Sequence, residues 1–136
     1  MRTTFVDPYP EGSRRRQLFD NYLAYNRSLS DLIGTFYQWV DGSFVTQKIA
    51  PKDVDVATFI DYQVVDQFST ELLRFGKHTA TPFRGIDAYL LPVYPPLHPK
   101  HSDFVASRAY WLGQFTETRK TRRGERLPKG CLQLVY

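Results

Sequence analysis

Cysteine, methionine and histidine are scarce in this chain of 136 residues, with one, one and three copies. A lone Cys131 forms no internal disulfide, which excludes a stapled secreted scaffold and sets a reducing compartment as the expectation. Long apolar runs are also missing. Stretches such as Ala88 to Leu91 fall far short of the roughly 20 residues that a spanning helix needs. The opening MRTTFVDPYPEGSRRR has arginines but no apolar run behind them, so a signal peptide is not expected and a cytoplasmic setting is. No internal repeat and no low-complexity tract stands out. Charge of one sign is only mildly in excess, at +4 with a pI near 9.3. That balance is compatible with a phosphate-bearing partner without requiring one. Aromatics are the abundant class: they make up 15% of a chain that is 42% hydrophobic. Such a chain buries a core, is not disordered, and has the length of a single domain over 1–136.

The charge is uneven. Arg14, Arg15 and Arg16 form one basic cluster, and Arg119, Lys120, Arg122, Arg123, Arg126 and Lys129 form another against the single acid Glu125. Each reads either as a solvated face or as a contact surface for phosphates. The middle is acidic, with Asp53, Asp55, Asp61 and Asp66 flanked by Asp41 and Asp87. Carboxylates repel phosphates, so an acidic centre in a basic frame makes sense where a cation sits.

Breakers and periodicity predict the elements. Pro8, Pro10 and Gly12 make residues 1–13 irregular. Ser13 caps a helix through about Leu32, with Leu18, Tyr22, Tyr25, Leu29 and Leu32 near one face, and Gly34 ends it. Thr35 to Val40 reads as a strand closed by the turn Asp41-Gly42-Ser43. Phe44 to Ala50 is ambiguous. Asp53 to Ile60 reads as a half-buried strand. Val64 to Phe75 reads as a helix closed by Gly76. Gly85 to Val93 reads as a strand whose Pro92 demands an edge or a bulge. Asp103 to about Arg122 reads as a long helix and Cys131 to Tyr136 as a final strand. The expected class is α/β: a small mixed sheet packed against helices.

Three features carry chemistry. Gly42-Ser43 follows an apolar strand, where a glycine lets backbone approach a ligand and N–H groups with a hydroxyl suit a phosphate oxygen. Asp53 and Asp55 are two apart on a strand, so they share a face while Val54 and Val56 turn to the core. Their mutual repulsion is relieved either by solvent or by a cation, and Mg²⁺ commonly takes one or two carboxylates plus substrate phosphates. Asp87 heads an apolar strand. Beside the first pair it would complete three carboxylates, enough to hold metal on a phosphoryl group.

This pattern resembles the DNA polymerase β-type nucleotidyltransferase superfamily. The run Trp39-x-Asp41-Gly42-Ser43-Phe44-Val45-Thr46-x-Lys48-x-x-Pro51-x-Asp53-Val54-Asp55 is similar to a family of short bacterial nucleotidyltransferase-like proteins. Asp87 to His98, with Tyr94-Pro95-Pro96, and Lys129-Gly130 extend the likeness from about Phe36 to the C-terminus. The resemblance implies a minimal nucleotidyltransferase-like fold. In it Gly42 and Ser43 hold the triphosphate of an NTP. Asp53, Asp55 and Asp87 are the catalytic carboxylates and bind Mg²⁺, or Mn²⁺ in its place. Asp87 also helps to deprotonate the acceptor. A hydroxyl of a protein, an RNA or a small molecule then takes the nucleoside monophosphate and pyrophosphate leaves. Small members of this kind act in toxin–antitoxin or phage-defence pairs, so a partner protein or a homo-oligomer is implied, and no membrane. Two departures stand out. Thr46 and Gln47 occupy the places of an Arg-Gly pair, with Lys48 supplying positive charge nearby, and Lys52 precedes the first aspartate where a small polar residue is usual.

The alternative is a catalytically inactive module of the same fold that binds a partner protein or nucleic acid through Arg119 to Lys129. A phosphohydrolase using the same carboxylates is a third reading. Among single residues, Tyr94 is the expected nucleotide-stacking aromatic, while Trp39 and Trp111 read as core. His98 and His101 are spaced i and i+3 in a proline-rich loop, as a metal pair or as plain loop residues. His78 reads as solvent-facing, and Cys131 as a buried strand residue. Ser43 has no His and Asp partners near it in sequence, which disfavours hydrolytic triad chemistry.

Overall fold

The computed structural model describes residues 1–46, 48–76, 83–117, 124–126 and 128–136. Gln47, His78 and the basic residues Arg119, Lys120, Arg122 and Arg123 lie outside them. One turn of helix, α1 (Arg2–Phe5), stands in the segment expected to be irregular. It closes through Phe5 N–H to Met1 O at 3.1 Å and Val6 N–H to Arg2 O at 2.9 Å, ahead of Pro8. Helix α2 (Arg14–Ile33) follows, with Ser13 Oγ accepting from the Arg16 amide as N-cap. Its buried stripe is Leu18, Tyr22, Tyr25 and Leu29, the i, i+3, i+4 spacing of one helix face.

The strands are β1 (Tyr37–Asp41), β2 (Val54–Asp61), β3 (Ile86–Val93) and β4 (Leu132–Val135), in the spatial order β3-β2-β1-β4. β1 runs antiparallel to β2 and to β4, and β2 runs parallel to β3. The protein is therefore mixed α/β, with a four-stranded mixed sheet and five α-helices among the described residues. Pro92 is tolerated because β3 is an edge strand.

Alternation sorts the sheet into two faces. Val40, Val54, Val56, Ile60, Ile86 and Ala88 pack with the α2 stripe in the main core. Trp39, Ala57 and Phe59 pack with Phe115 in a second core. Phe115 belongs to α5 (His101–Thr116), which covers that face from the other side.

Two expected helices are shorter than their periodicity predicts. The one after β2 begins at α3 (Tyr62–Gln67), because Asp61 caps it by accepting from the Gln63 amide at 2.8 Å. It breaks at Phe68 (φ −111°, ψ 27°) before α4 (Ser69–Leu72) and a 3₁₀ turn (Leu73–Phe75). The break sits in Asp66-Gln67-Phe68-Ser69-Thr70, where Asp, Ser and Thr are poor helix formers and Phe is no better. Helix α5 stops at Thr116 because Glu117 turns extended and pairs with Pro128. Among the described residues no helix is long and apolar enough to cross a membrane.

Candidate active site

Register builds the site. Asp41 on β1 is the Cα partner of Asp55 on β2, and Asp55 is the partner of Asp87 on β3. Registered partners on neighbouring strands share a face. Three carboxylates thus form a row across one end of the sheet, on the side covered by α5. Asp53 precedes β2 by one residue and falls on the same face, two positions from Asp55. Val54 and Val56, the alternate residues, are fully buried on the opposite face.

A cleft of about 690 Å³ opens at this end. Asp41, Asp53 and Asp55 line it together with Gly42, Ser43, Thr46 and Lys48. Its other wall is Tyr89 with Trp111, Gln114 and Phe115 of α5. The four cations Lys48, Lys52, Arg126 and Lys129 also reach it. Two of them are already paired with carboxylates: Lys129 with Asp41, and Arg126 with Glu117 at 3.1 Å. Phosphate and cation could therefore meet here, which is the setting that phosphoryl chemistry needs.

Gly42 makes the close approach possible. Its φ of +84° with ψ of −174° is a conformation open almost only to glycine. A Cβ there would lie 2.3 Å from Asp55 Oδ2, so the Asp55 carboxylate rests against the bare backbone of the turn. The expected Gly-Ser loop and Asp-x-Asp strand are in contact through this pair.

The loop beyond Gly42 is organised from beneath by Arg15. This residue is fully buried. Its guanidinium donates to the carbonyls of Phe5, Ser43, Phe44, Thr46 and Lys48 over 2.5–3.3 Å. It also lies 4.6 Å from the Tyr9 ring centroid and 5.5 Å from that of Phe44. Every one of these oxygens is a neutral carbonyl, so the guanidinium leaves an uncancelled positive field under the loop in a low-dielectric setting. Thr46 Oγ1 adds a bond to Ser43 O at 2.8 Å. The ambiguity over Phe44 to Ala50 resolves as a 3₁₀ turn (Ser43–Val45) followed by this tethered loop.

Within the basic cluster at Arg14 to Arg16, only Arg15 is fully buried and so closed to an outside phosphate. Arg14 donates to Lys52 O at 2.8 Å, and Arg16 donates to Tyr9 O at 2.9 Å and Asp7 O at 3.4 Å. All three guanidiniums satisfy backbone carbonyls near the start of α2.

Asp41, which sequence reasoning placed only at the edge of the acidic region, sits at the floor. It is 3% exposed. Lys129 pairs with its Oδ2 across 88 residues of sequence, while its buried Oδ1 has no hydrogen-bond partner. Burial raises the Asp41 pKa, and Lys129 and the Gly42 amide pull against that rise. Asp41 and Lys129 lie far apart in sequence, so only the tertiary structure brings them together.

Two expected site features change place. Tyr94 follows the far end of β3, roughly 23 Å from Asp87 at about 3.3 Å per residue. There it stacks with Tyr62 (5.2 Å) and His98 (4.6 Å) and does not face the cleft. The aromatics that do face it are Tyr89 and Trp111, with ring centroids 4.1 Å apart. Alternation puts Tyr89 on the face of Asp87, and Trp111, Gln114 and Phe115 share an i, i+3, i+4 face; those signals are present in the sequence. Asp87, for its part, is beside Asp55 in register but outside the cleft lining. Among the described residues no group of three or more His, Cys, Asp or Glu side chains is arranged to hold a metal ion.

The remaining candidates are structural. His98 Nδ1 accepts from the Lys100 amide at 3.0 Å, and His101 Nδ1 lies 2.8 Å from Tyr94 O, so each is engaged by its own loop. Cys131 is half-buried just before β4. Burial raises its thiol pKa and the nearby Asp41 adds to that, which makes it a poor nucleophile.

The chain belongs to DUF6932, a family of unknown function whose model matches residues 1–135. No curated protein and no solved structure matches the chain.

Proposed function

We propose that the cleft is the active site of a Mg²⁺-dependent nucleotidyltransferase, which moves a nucleoside monophosphate from an NTP to a hydroxyl of a protein, an RNA or a small molecule. The observation that carries this reading is the contact between the Gly42 turn and Asp55, with Asp53 beside it in the same cleft. The donor set is hard oxygen, which fits Mg²⁺. Two carboxylates and phosphate oxygens make a sufficient shell, so a three-carboxylate cage is not required.

In this reading Asp53 and Asp55 hold the cation, with Asp87 next in the row. Bound there, Mg²⁺ supplies neutralisation of phosphate charge and a lowered barrier to deprotonating the acceptor. The chain supplies position. Ser43, Thr46 and Lys48 face the triphosphate, and Arg15 beneath them favours negative charge above the loop. Tyr89 and Trp111 form the apolar wall. The acceptor oxygen bonds to the α-phosphorus, the bond to the bridging β-phosphate oxygen breaks, and pyrophosphate leaves. The acceptor proton passes to a carboxylate of the row. Few side chains are needed, because positioning and charge neutralisation dominate phosphoryl transfer.

The test is incubation with each NTP labelled at the α-phosphate, with Mg²⁺, alone and in lysate. Label appears on a macromolecule or small molecule with the native chain and is lost with Asp53→Asn/Asp55→Asn. Absence of transfer together with absence of metal-dependent NTP binding refutes the reading. The second reading is an inactive module that binds a partner protein or nucleic acid, and what favours it is that Lys129 and Arg126 in the cleft are already paired with Asp41 and Glu117. Its nucleic-acid form predicts binding that weakens steeply with salt.

A further inference from the structure

A buried carboxylate oxygen without a partner is uncommon in folded proteins, and an ion that completes it is one of the few physical explanations. Asp41 Oδ1 is such an oxygen. It belongs to a side chain only 4% exposed, on the floor of the cleft, whose other oxygen is held by Lys129. Its strand partner is Asp55, a second carboxylate on the same face lining the same cleft. The Asp55 carboxylate rests against the backbone of Gly42, the residue that follows Asp41.

Building on the nucleotidyl-transfer reading of this cleft, we infer that Asp41, through Oδ1, and Asp55 form a subsite for a hard divalent cation such as Mg²⁺ or Mn²⁺. Asp41 stands outside the Asp53, Asp55 and Asp87 set that the sequence pattern suggests. Lys129 has a defined part. Its ammonium neutralises the buried carboxylate when no cation is there, and it fixes Oδ2 so that Oδ1 is the oxygen left to coordinate. Its positive charge also opposes an incoming cation. The segment carrying it is tied down separately, by the Lys129 amide to Thr116 O at 2.7 Å and the Glu117–Pro128 bridge. Removing the ammonium therefore need not remove the segment.

The experiment titrates Mn²⁺ into the full chain, reads free Mn²⁺ by electron paramagnetic resonance, and repeats this with tripolyphosphate present. The titrations are made at one fixed pH near 8, and a thermal melt of each variant establishes folding. Asp41→Asn keeps the shape and is expected to weaken Mn²⁺ binding by about tenfold or more, while Lys129→Met keeps the stem and is expected to tighten it by about tenfold. A structural strut between Asp41 and Lys129 would move the melting temperature and leave both affinities alone. Unchanged affinities in both variants, with Asp53→Asn still weakening binding, overturn the role of Asp41 and leave the nucleotidyl-transfer reading standing. A native chain that binds no Mn²⁺ with or without tripolyphosphate overturns both.

Discussion

Gly42→Ala tests the junction on which the site depends. Two costs follow from the geometry. The backbone at φ +84° and ψ −174° is nearly closed to any residue with a Cβ, and holding alanine there costs about 1–3 kcal/mol. The new Cβ would also stand 2.3 Å from Asp55 Oδ2, below the 3.0 Å that real Cβ atoms respect, so the carboxylate must swing away. For a chain of this size 1 kcal/mol corresponds to roughly 3–5 °C in melting temperature, so a fall of roughly 3–15 °C is expected. Displacing a reacting-centre ligand by about an ångström costs on the order of a hundredfold in turnover. The assay pairs thermal melts by circular dichroism with NTP turnover and Mn²⁺ titration below the melt. Stability falls modestly while metal affinity and turnover fall far more. A variant with native melting temperature and native metal affinity would refute the claim that Asp55 packs on bare backbone here.

Other outcomes follow from the same contacts. Arg15→Met strips hydrogen bonds from the buried carbonyl of Phe44 and from the part-buried carbonyls of Ser43, Thr46 and Lys48, and at about 1–3 kcal/mol for a buried group left unpaired it should cost about 2 kcal/mol or more. Urea unfolding measures this, and a loss under about 1 kcal/mol would show that the loop stands without it. Asp41 has a raised pKa in the folded state, from burial first, so folded chains hold its proton to higher pH than unfolded ones. Stability should therefore fall as pH rises above the ordinary carboxylate range, through the Asp41 titration, and Asp41→Asn should lack that component. Melting temperatures of both proteins between pH 4 and 7 decide it, and parallel curves would contradict the raised value. Tyr94→Leu should lower stability by removing stacking with Tyr62 and His98 yet leave NTP affinity unchanged. Calorimetric titration with NTP checks this, and lost affinity would return Tyr94 to the site.

Much of this site was legible because strand periodicity is a local property. The order of elements and the shared face of Asp53 and Asp55 follow from spacing alone, since successive residues alternate across a pleated strand whatever it pairs with. The Gly-Ser turn was legible for a similar reason: a strand that ends in Asp-Gly-Ser must turn. Tyr94 follows β3 closely in sequence, yet a strand of this length carries its two ends to opposite edges of the sheet, so Tyr94 stacks with Tyr62 and His98 away from the cleft. Arg15 matches neither expectation for a run of three arginines, a solvated face or a phosphate-contact surface, because it is fully buried. Its burial depends on a ring of carbonyls supplied by a loop some thirty residues later, which no local pattern announces.

The sequence by itself determined the mixed α/β class, the helix that Ser13 and Gly34 bound, and the place of the carboxylates at the start of β2. These are short-range consequences of dihedral preference and apolar spacing. The half-buried expectation for β2 fails beyond Asp55, because α5 covers the second face and Val56 to Ile60 are buried on both sides. The tertiary structure alone decided register, and register decided the rest. It aligned Asp41, Asp55 and Asp87 in one row, set Tyr89 and Trp111 against the cleft, and joined Lys129 to Asp41 across 88 residues. Those pairings are long-range because burial of the two sheet faces and satisfaction of backbone carbonyls are settled only when the whole chain has collapsed on itself.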